Sequence, residues 1–253
     1  MKVVILAGGF GSRLSEYTDK IPKPMVEIGS EPILIHLIKY FMKFNLNDFI
    51  IALGYKSEYV KSYFINYKVD SSFSFNLFEN KLELKKFNSK IKTTITLVDT
   101  GIGTMTGGRI KRLENFLGRE DFLLTYGDGL SNVPIDQLMK FHKNHNKLAT
   151  VTAVRPPARF GEIQIEKDEV KSFKEKPQTD KGWINGGFFI FKPQFLEYLK
   201  SDDTVLEQEP LECVAKEGKL NAFRHDGFWQ CMDTKRDKDL LEELFSSNAP
   251  WLQ

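Results

Sequence analysis

Cysteine is scarce in this 253-residue chain: Cys213 and Cys231 stand far apart, with no CxxC pair and no histidine at finger spacing. That argues against both a disulfide framework and a structural zinc site. Histidine is also scarce, with four in all. His36, His142 and His145 fall on helical patterns without carboxylate or cysteine partners at metal spacing, and His225 only precedes a later motif, so packing roles are expected for them. No apolar run reaches the ~18–20 residues that a bilayer-spanning helix requires, so no membrane association is expected. The opening Met1-Lys2-Val3-Val4-Ile5-Leu6-Ala7 lacks the pattern of a secretory signal, and a cytoplasmic location is expected. Charge of one sign is missing too: 36 Lys+Arg face 34 Asp+Glu, for a formal +2. A dedicated nucleic-acid binder needs a basic excess, so that class is disfavoured. What remains is a chain long enough for a sizeable core, with 41% apolar residues and 21 phenylalanines distributed through strand and helix patterns.

The chain's rhythm predicts an α/β fold with a mostly parallel sheet. Lys2 to Leu6 reads as a buried strand ending at Gly8-Gly9. Ile33, Leu34, Leu37, Ile38, Phe41 and Phe44 recur at helical spacing behind Ser30 and Pro32, where a cap and a first turn are expected. Asp48–Leu53 reads as a second buried strand, followed by a helix from Ser57. Phe73, Phe75 and Leu77 alternate with polar residues, and 94–98 is β-rich, so an antiparallel insertion or a sheet edge is expected over 73–98. Phe122–Tyr126 restores a buried strand and delivers Gly127-Asp128 at its C-terminal end, where open α/β sheets bind ligands. Beyond it come a helix from Pro134 to about 145, strands at 149–154, 163–165 and 184–191, and helices at 206–216 and 236–244. Without a linker, the whole of 1–253 is expected to be one domain. The acidic stretch 202–212 reads as a solvated face.

Gly8, Gly9 and Gly11, with Ser12 and Arg13, follow the first strand, so backbone N–H groups can turn toward an anion. Neither a Walker A loop nor a dinucleotide fingerprint fits the spacing, since no Gly-Lys-Ser/Thr follows and Leu14 stands where a third glycine belongs. Pro22-Lys23-Pro24-Met25 fixes the backbone around a lysine. A pinned lysine near an anion loop suggests phosphate contact.

Together, GGFGSRL and PKPM resemble the opening of the sugar-1-phosphate nucleotidylyltransferases. Further segments match along almost the whole chain: Val98-Asp99-Thr100-Gly101, Met105-Thr106-Gly107-Gly108-Arg109, Tyr126-Gly127-Asp128-Gly129, Glu175-Lys176-Pro177, Ile184-Asn185-Gly186-Gly187-Phe188-Phe189, Gln208-Glu209-Pro210-Leu211, Gly227 to Thr234 and Ala249-Pro250-Trp251. They are similar to the cytidylyl-transferring members in particular. The resemblance implies Mg²⁺-dependent transfer of CMP from CTP to glucose 1-phosphate, giving CDP-glucose and pyrophosphate. It also implies a nucleotide-binding half over about 1–130, a sugar-phosphate-binding half over about 131–253, and a homo-oligomer that serves surface-polysaccharide synthesis.

By the same resemblance, Asp128 and Asp233 are the metal-binding aspartates, Arg13 stabilises the β- and γ-phosphates, and Lys23 lies between the α-phosphate and the sugar phosphate. Lys176 holds the sugar phosphate, Glu175 faces sugar hydroxyls, and Asn185, Gly186 and Gly161 belong to the sugar pocket. Leu6, Ala7 and Gly8 would meet the base and ribose through backbone atoms, and Thr104, Gly108 and Arg109 would help select the cytidine nucleotide. The chemistry is coherent with these residue types. The attacking phosphate monoester has a second pKa of about 6, is already ionised at neutral pH and needs no general base. Cations and Mg²⁺ are needed to join two polyanions and stabilise the leaving pyrophosphate. The nearest alternatives keep the fold but use UTP, dTTP or another sugar phosphate; a non-catalytic sugar-nucleotide sensor is the alternative of another class.

Overall fold

The structure is a computed structural model describing residues 1–66, 73–78, 81–86, 93–155, 162–166, 169–174 and 182–253. Nine of the described strands form one sheet, in spatial order Leu220–His225, Ala149–Val154, Ile184–Phe191, Phe122–Tyr126, Lys2–Ala7, Asp48–Leu53, Thr94–Asp99, Lys81–Lys86 and Phe73–Phe78. Lys2–Ala7 is parallel to both neighbours, as is Thr94–Asp99 to Asp48–Leu53 and Leu220–His225 to Ala149–Val154. Only Ile184–Phe191 runs the other way between its neighbours, apart from the edge hairpin. The mostly parallel α/β sheet expected from the sequence is therefore present. Residues 73–78 and 81–86 form the antiparallel edge expected there.

The central strands are mostly apolar because both faces are covered. Val3, Ile5 and Ala7 join the core that contains the helix Ile33–Met42 and Trp251, while Val4 and Leu6 point into the other, with Ile110, Phe189, Phe191 and Phe195. The period of two along a strand sorts one continuous apolar run onto two cores. Ile33–Met42 has Pro32 at its N-cap and no side-chain cap, so Ser30 does not play the expected part. Pro32 fits because its missing N–H is one that the helix start would leave unpaired. The parallel strands end in register, with Leu6 beside Tyr126, Ala7 beside Leu53 and Leu53 beside Asp99. Their following loops thus gather at one edge of the sheet.

His142 is fully buried, with Nδ1 on the Thr150 hydroxyl at 2.7 Å, and His145 Nε2 reaches the same oxygen at 2.9 Å. The His142 Nε2 has no hydrogen-bond partner among the described residues, and the Asp121 carboxylate lies 3.6 Å away. Burial lowers the His142 pKa to about 4, although Asp121 opposes the shift. The unfolded chain therefore binds a proton below about pH 6.5 that the native state refuses until about pH 4. Stability carried by neutral His142 is fully present above that window and is lost as pH falls through it, by about 3 kcal/mol. Thermal midpoints from pH 7 to 4.5 should show that fall, and His142→Asn should flatten it; an unchanged slope would contradict the assignment.

Candidate active site

The loops at the C-terminal ends of the parallel strands enclose a cleft of about 490 Å³. Leu6, Ala7, Gly8, Gly9, Gly11, Ser12, Arg13, Lys23, Thr104, Arg109, Asp128 and Asp233 all line it. Residues scattered over most of the sequence are thus brought to one place by the strand order.

The two aspartates are joined by backbone. Gly129–Ser131 pairs antiparallel with Trp229–Cys231, Gly129 opposite Cys231, and the Met232 N–H donates to the Asp128 carbonyl at 2.8 Å. Gly127 N–H donates to the Leu6 carbonyl at 2.9 Å, tying Asp128 to the first strand. Asp233 precedes the helix Lys235–Ser247, whose N-cap is Thr234 in a capping box with Asp237. Because Thr234 and Asp237 satisfy the helix end, the Asp233 carboxylate is left for the cleft.

Lys23 lies between the carboxylates, its Nζ 2.6 Å from Asp128 Oδ2 and 2.6 Å from Asp233 Oδ1. A short 3₁₀ turn, Lys23–Met25, follows Pro22, and the lysine is 9% exposed rather than a surface residue on a rigid turn. Burial alone would lower its pKa, but Asp128 and Asp233 outweigh burial and hold it above the ordinary value. Burial likewise acts to raise the Asp233 pKa, and Lys23 and Arg13 hold it below the ordinary value instead. Both groups are ionised at neutral pH. Arg13 Nη1 reaches Asp233 Oδ2 at 2.9 Å from the cleft mouth, where its side chain is 75% exposed. Behind it, the backbone N–H groups of Gly9, Phe10, Gly11 and Ser12 donate to no group among the described residues. This loop offers donors to an anion beside two cationic side chains.

Arg109 has a different position from an exposed nucleotide contact. It is 4% exposed, and its guanidinium donates to Gly8 O at 2.9 Å, Leu53 O at 3.1 Å, Gly101 O at 2.7 Å and Thr100 Oγ1 at 2.7 Å. It pins three strand-end loops together under the nucleotide-sized cleft. A Cβ on Gly8 would lie 2.3 Å from the Arg109 Nη1, so this close approach requires glycine. Gly108 does not offer its N–H to the cleft: it donates to Thr204 O at 3.1 Å, and a Cβ there would meet Asp202 O at 2.3 Å. The Gly107-Gly108 pair admits the 202–204 backbone against the helix Thr106–Arg112. The acidic stretch 202–212 is thus docked in part rather than wholly solvated, with Asp202 paired to Arg112 at 2.5 Å.

Asn185 and Gly186 stand beside the cleft, opposite a register shift between Val151 and Ala153. Asn185 Nδ2 donates to the Tyr126 hydroxyl at 3.2 Å, and Gly186 O accepts from Trp229 Nε1 at 2.7 Å. Gly161, Glu175 and Lys176 lie outside the described residues. Tyr126, Pro24, Phe10 and Ile102 also line the cleft without having been singled out from sequence. For Tyr126 the signal was available: it is the last residue of a buried strand, immediately before Gly127-Asp128.

Two carboxylates converging on one cationic nitrogen supply hard oxygen donors, and such a pair suits Mg²⁺, which takes its remaining ligands from substrate phosphates and water. Asp128 and Asp233 are the residues that would hold it.

The nucleotidyl transferase family matches residues 2–234. Glucose-1-phosphate cytidylyltransferase of Salmonella typhi is 48% identical over 99% of this chain and 98% of its own length. A probable glucose-1-phosphate cytidylyltransferase of Bacillus subtilis is 43% identical over 96% of this chain and 94% of its own. Among solved structures, HddC of Yersinia pseudotuberculosis superposes with a TM-score of 0.69 at 24% identity, covering 96% of this chain and 99% of the other, which is a likeness of fold.

Proposed function

The chain belongs to the nucleotidyl transferase family, and from that membership we propose how its cleft works: it transfers CMP from CTP to glucose 1-phosphate, forming CDP-glucose and pyrophosphate. The observation that carries the reading of the site is the charged cluster of Lys23 between Asp128 and Asp233, with Arg13 at its edge, facing a loop of undirected N–H groups.

A phosphate oxygen of the sugar phosphate attacks the α-phosphorus of CTP, the new P–O bond forms, and the bond to the β-phosphate oxygen breaks. No proton has to move in that exchange, which agrees with a site holding cations and carboxylates rather than a base–nucleophile pair. Lys23, protonated and positionally fixed, lies where two phosphates must approach each other, as a point charge. Arg13, exposed at the mouth, presents a fork to the leaving β- and γ-phosphates. The Gly9–Ser12 loop binds phosphate through its N–H groups, and Arg109 keeps that loop in place from below. Mg²⁺ held by Asp128 and Asp233 would offset phosphate charge and orient the triphosphate. Asn185 and Gly186 face the sugar, and by resemblance to the family Gly161, Glu175 and Lys176 share in binding the sugar phosphate; Leu6, Ala7 and Thr104 border the base. We assign the protein a soluble, cytoplasmic, homo-oligomeric role on the same resemblance. Among the described residues no helix is long and apolar enough to cross a membrane.

Label placed on the α-phosphorus of CTP should appear in the sugar nucleotide, and label on the γ-phosphorus in pyrophosphate, with glucose 1-phosphate preferred over mannose and galactose 1-phosphates. Label from the γ-position in the sugar product would exclude nucleotidyl transfer.

A further inference from the structure

Glu207 lies in the acidic stretch that docks on the Gly107-Gly108 helix, and its carboxylate bridges two parts of the molecule. Thr106 Oγ1 donates to Glu207 Oε2 at 2.7 Å, and the Tyr126 hydroxyl donates to Glu207 Oε1. Proton directions along this line are fixed by backbone groups. The Gly187 N–H donates to Asn185 Oδ1 at 2.8 Å, so the Asn185 amide must present Nδ2 to the Tyr126 oxygen, 3.2 Å away. Tyr126 then accepts from Asn185 and has its own proton to give to Glu207. At the other end, Leu206 N–H donates to Thr106 Oγ1 at 2.9 Å, so that hydroxyl also directs its proton to Glu207. Burial, then the Glu207 charge, hold the Tyr126 phenol protonated, as this direction requires.

We propose that Glu207 is a positioning residue that fixes Asn185 through Tyr126 and Thr106 directly, so that one carboxylate sets the geometry of the sugar side and the nucleotide side of the cleft together. Only a carboxylate offers an acceptor oxygen to each of the two hydroxyls, and Glu207 is the one carboxylate that either hydroxyl reaches among the described residues. The inference rests on the proposed contact of Asn185 with the sugar.

Glu207→Ala, Glu207→Gln, Tyr126→Phe, Asn185→Ala and the Glu207→Ala/Tyr126→Phe double variant test it by steady-state kinetics with CTP, glucose 1-phosphate and Mg²⁺, with thermal midpoints recorded. Glu207→Ala should raise KM for both substrates, by roughly 10-fold for glucose 1-phosphate, as expected for losing a charge-assisted hydrogen bond, with kcat altered much less. Tyr126→Phe and Asn185→Ala should raise KM for glucose 1-phosphate alone. The double variant should be no worse than Glu207→Ala, because both changes cut one line of hydrogen bonds. Glu207→Gln, which keeps the acceptor for Tyr126 but turns an amide N–H₂ toward Thr106, should restore most of the sugar-phosphate KM and little of the CTP KM. If Asn185→Ala raises KM for glucose 1-phosphate while Glu207→Ala and Tyr126→Phe do not, or if the double variant is additive, the positioning role is overturned. If Asn185→Ala itself leaves that KM unchanged, the sugar assignment of Asn185 is overturned instead.

Discussion

Replacing Asp128 or Asp233 by asparagine is expected to lower turnover by about 10²-fold or more, because the pair loses one of the charges that would hold Mg²⁺ and place Lys23. The fold should survive either change. The backbone bond between Met232 and Asp128, the Gly129–Ser131 ribbon and the Thr234–Asp237 capping box use no carboxylate oxygen of these two residues. Lys23 would keep one carboxylate partner in each variant and remain charged. The two variants should nevertheless differ. Asp233 also holds Arg13, so Asp233→Asn frees the guanidinium proposed to meet the leaving phosphates and should raise KM for CTP as well. Asp128→Asn should act mainly on kcat. Rates near wild type in either variant, with folding verified by thermal midpoint, would remove that aspartate from the metal site.

Arg109→Ala is expected to have the largest combined effect on stability and binding. It strips Gly101 O of its side-chain donor and the Thr100 hydroxyl of the bond it accepts, and it takes one donor from Gly8 O and Leu53 O, which keep the Tyr55 N–H and the Thr100 N–H and hydroxyl. A buried acceptor stripped of its partner costs about 1–3 kcal/mol, so the loss should be of about that size, tempered by water entering the vacated space. With the brace gone, the Gly8–Ser12 loop loses its fixed position, and KM for CTP should rise about 10-fold or more in whatever protein stays folded. Arg109→Lys separates charge from geometry. An ammonium cannot reach acceptors spread over three loops, so lysine should recover little of either property. If lysine restored both the thermal midpoint and the KM for CTP, the forked brace would not be what the position requires.

The sheet was largely legible because both of its faces are covered: runs such as Lys2–Leu6, Asp48–Leu53 and Phe122–Tyr126 are mostly apolar and lead into glycines. Leu220–His225 escaped notice because it is the terminal strand of the sheet, where Asn221, Arg224 and His225 break the apolar pattern. The ribbon of Gly129–Ser131 with Trp229–Cys231 escaped because three-residue strands carry no usable period, although it is what unites the two aspartates. Lys23 was legible through its flanking prolines, and Asp128 through its place after a buried strand. Arg109 was recognisable as important but not as a buried brace, since nothing local distinguishes a guanidinium that meets backbone carbonyls from one that meets a nucleotide. Glu207 was hidden inside an acidic run whose ordinary reading is a solvated face. Its partners, Thr106 and Tyr126, are distant in sequence, and only the seating of 202–204 on Gly107-Gly108 brings them within reach.

Pyrophosphate release from CTP, UTP, dTTP, ATP and GTP in turn, each with glucose 1-phosphate and Mg²⁺, with and without chelator, tests nucleotidyl transfer in this cleft most directly. Turnover that is fastest with CTP and stops on chelation is the expected result. Faster release from another nucleotide would contradict the cytidylyl assignment, and turnover indifferent to chelator would contradict the metal role of Asp128 and Asp233.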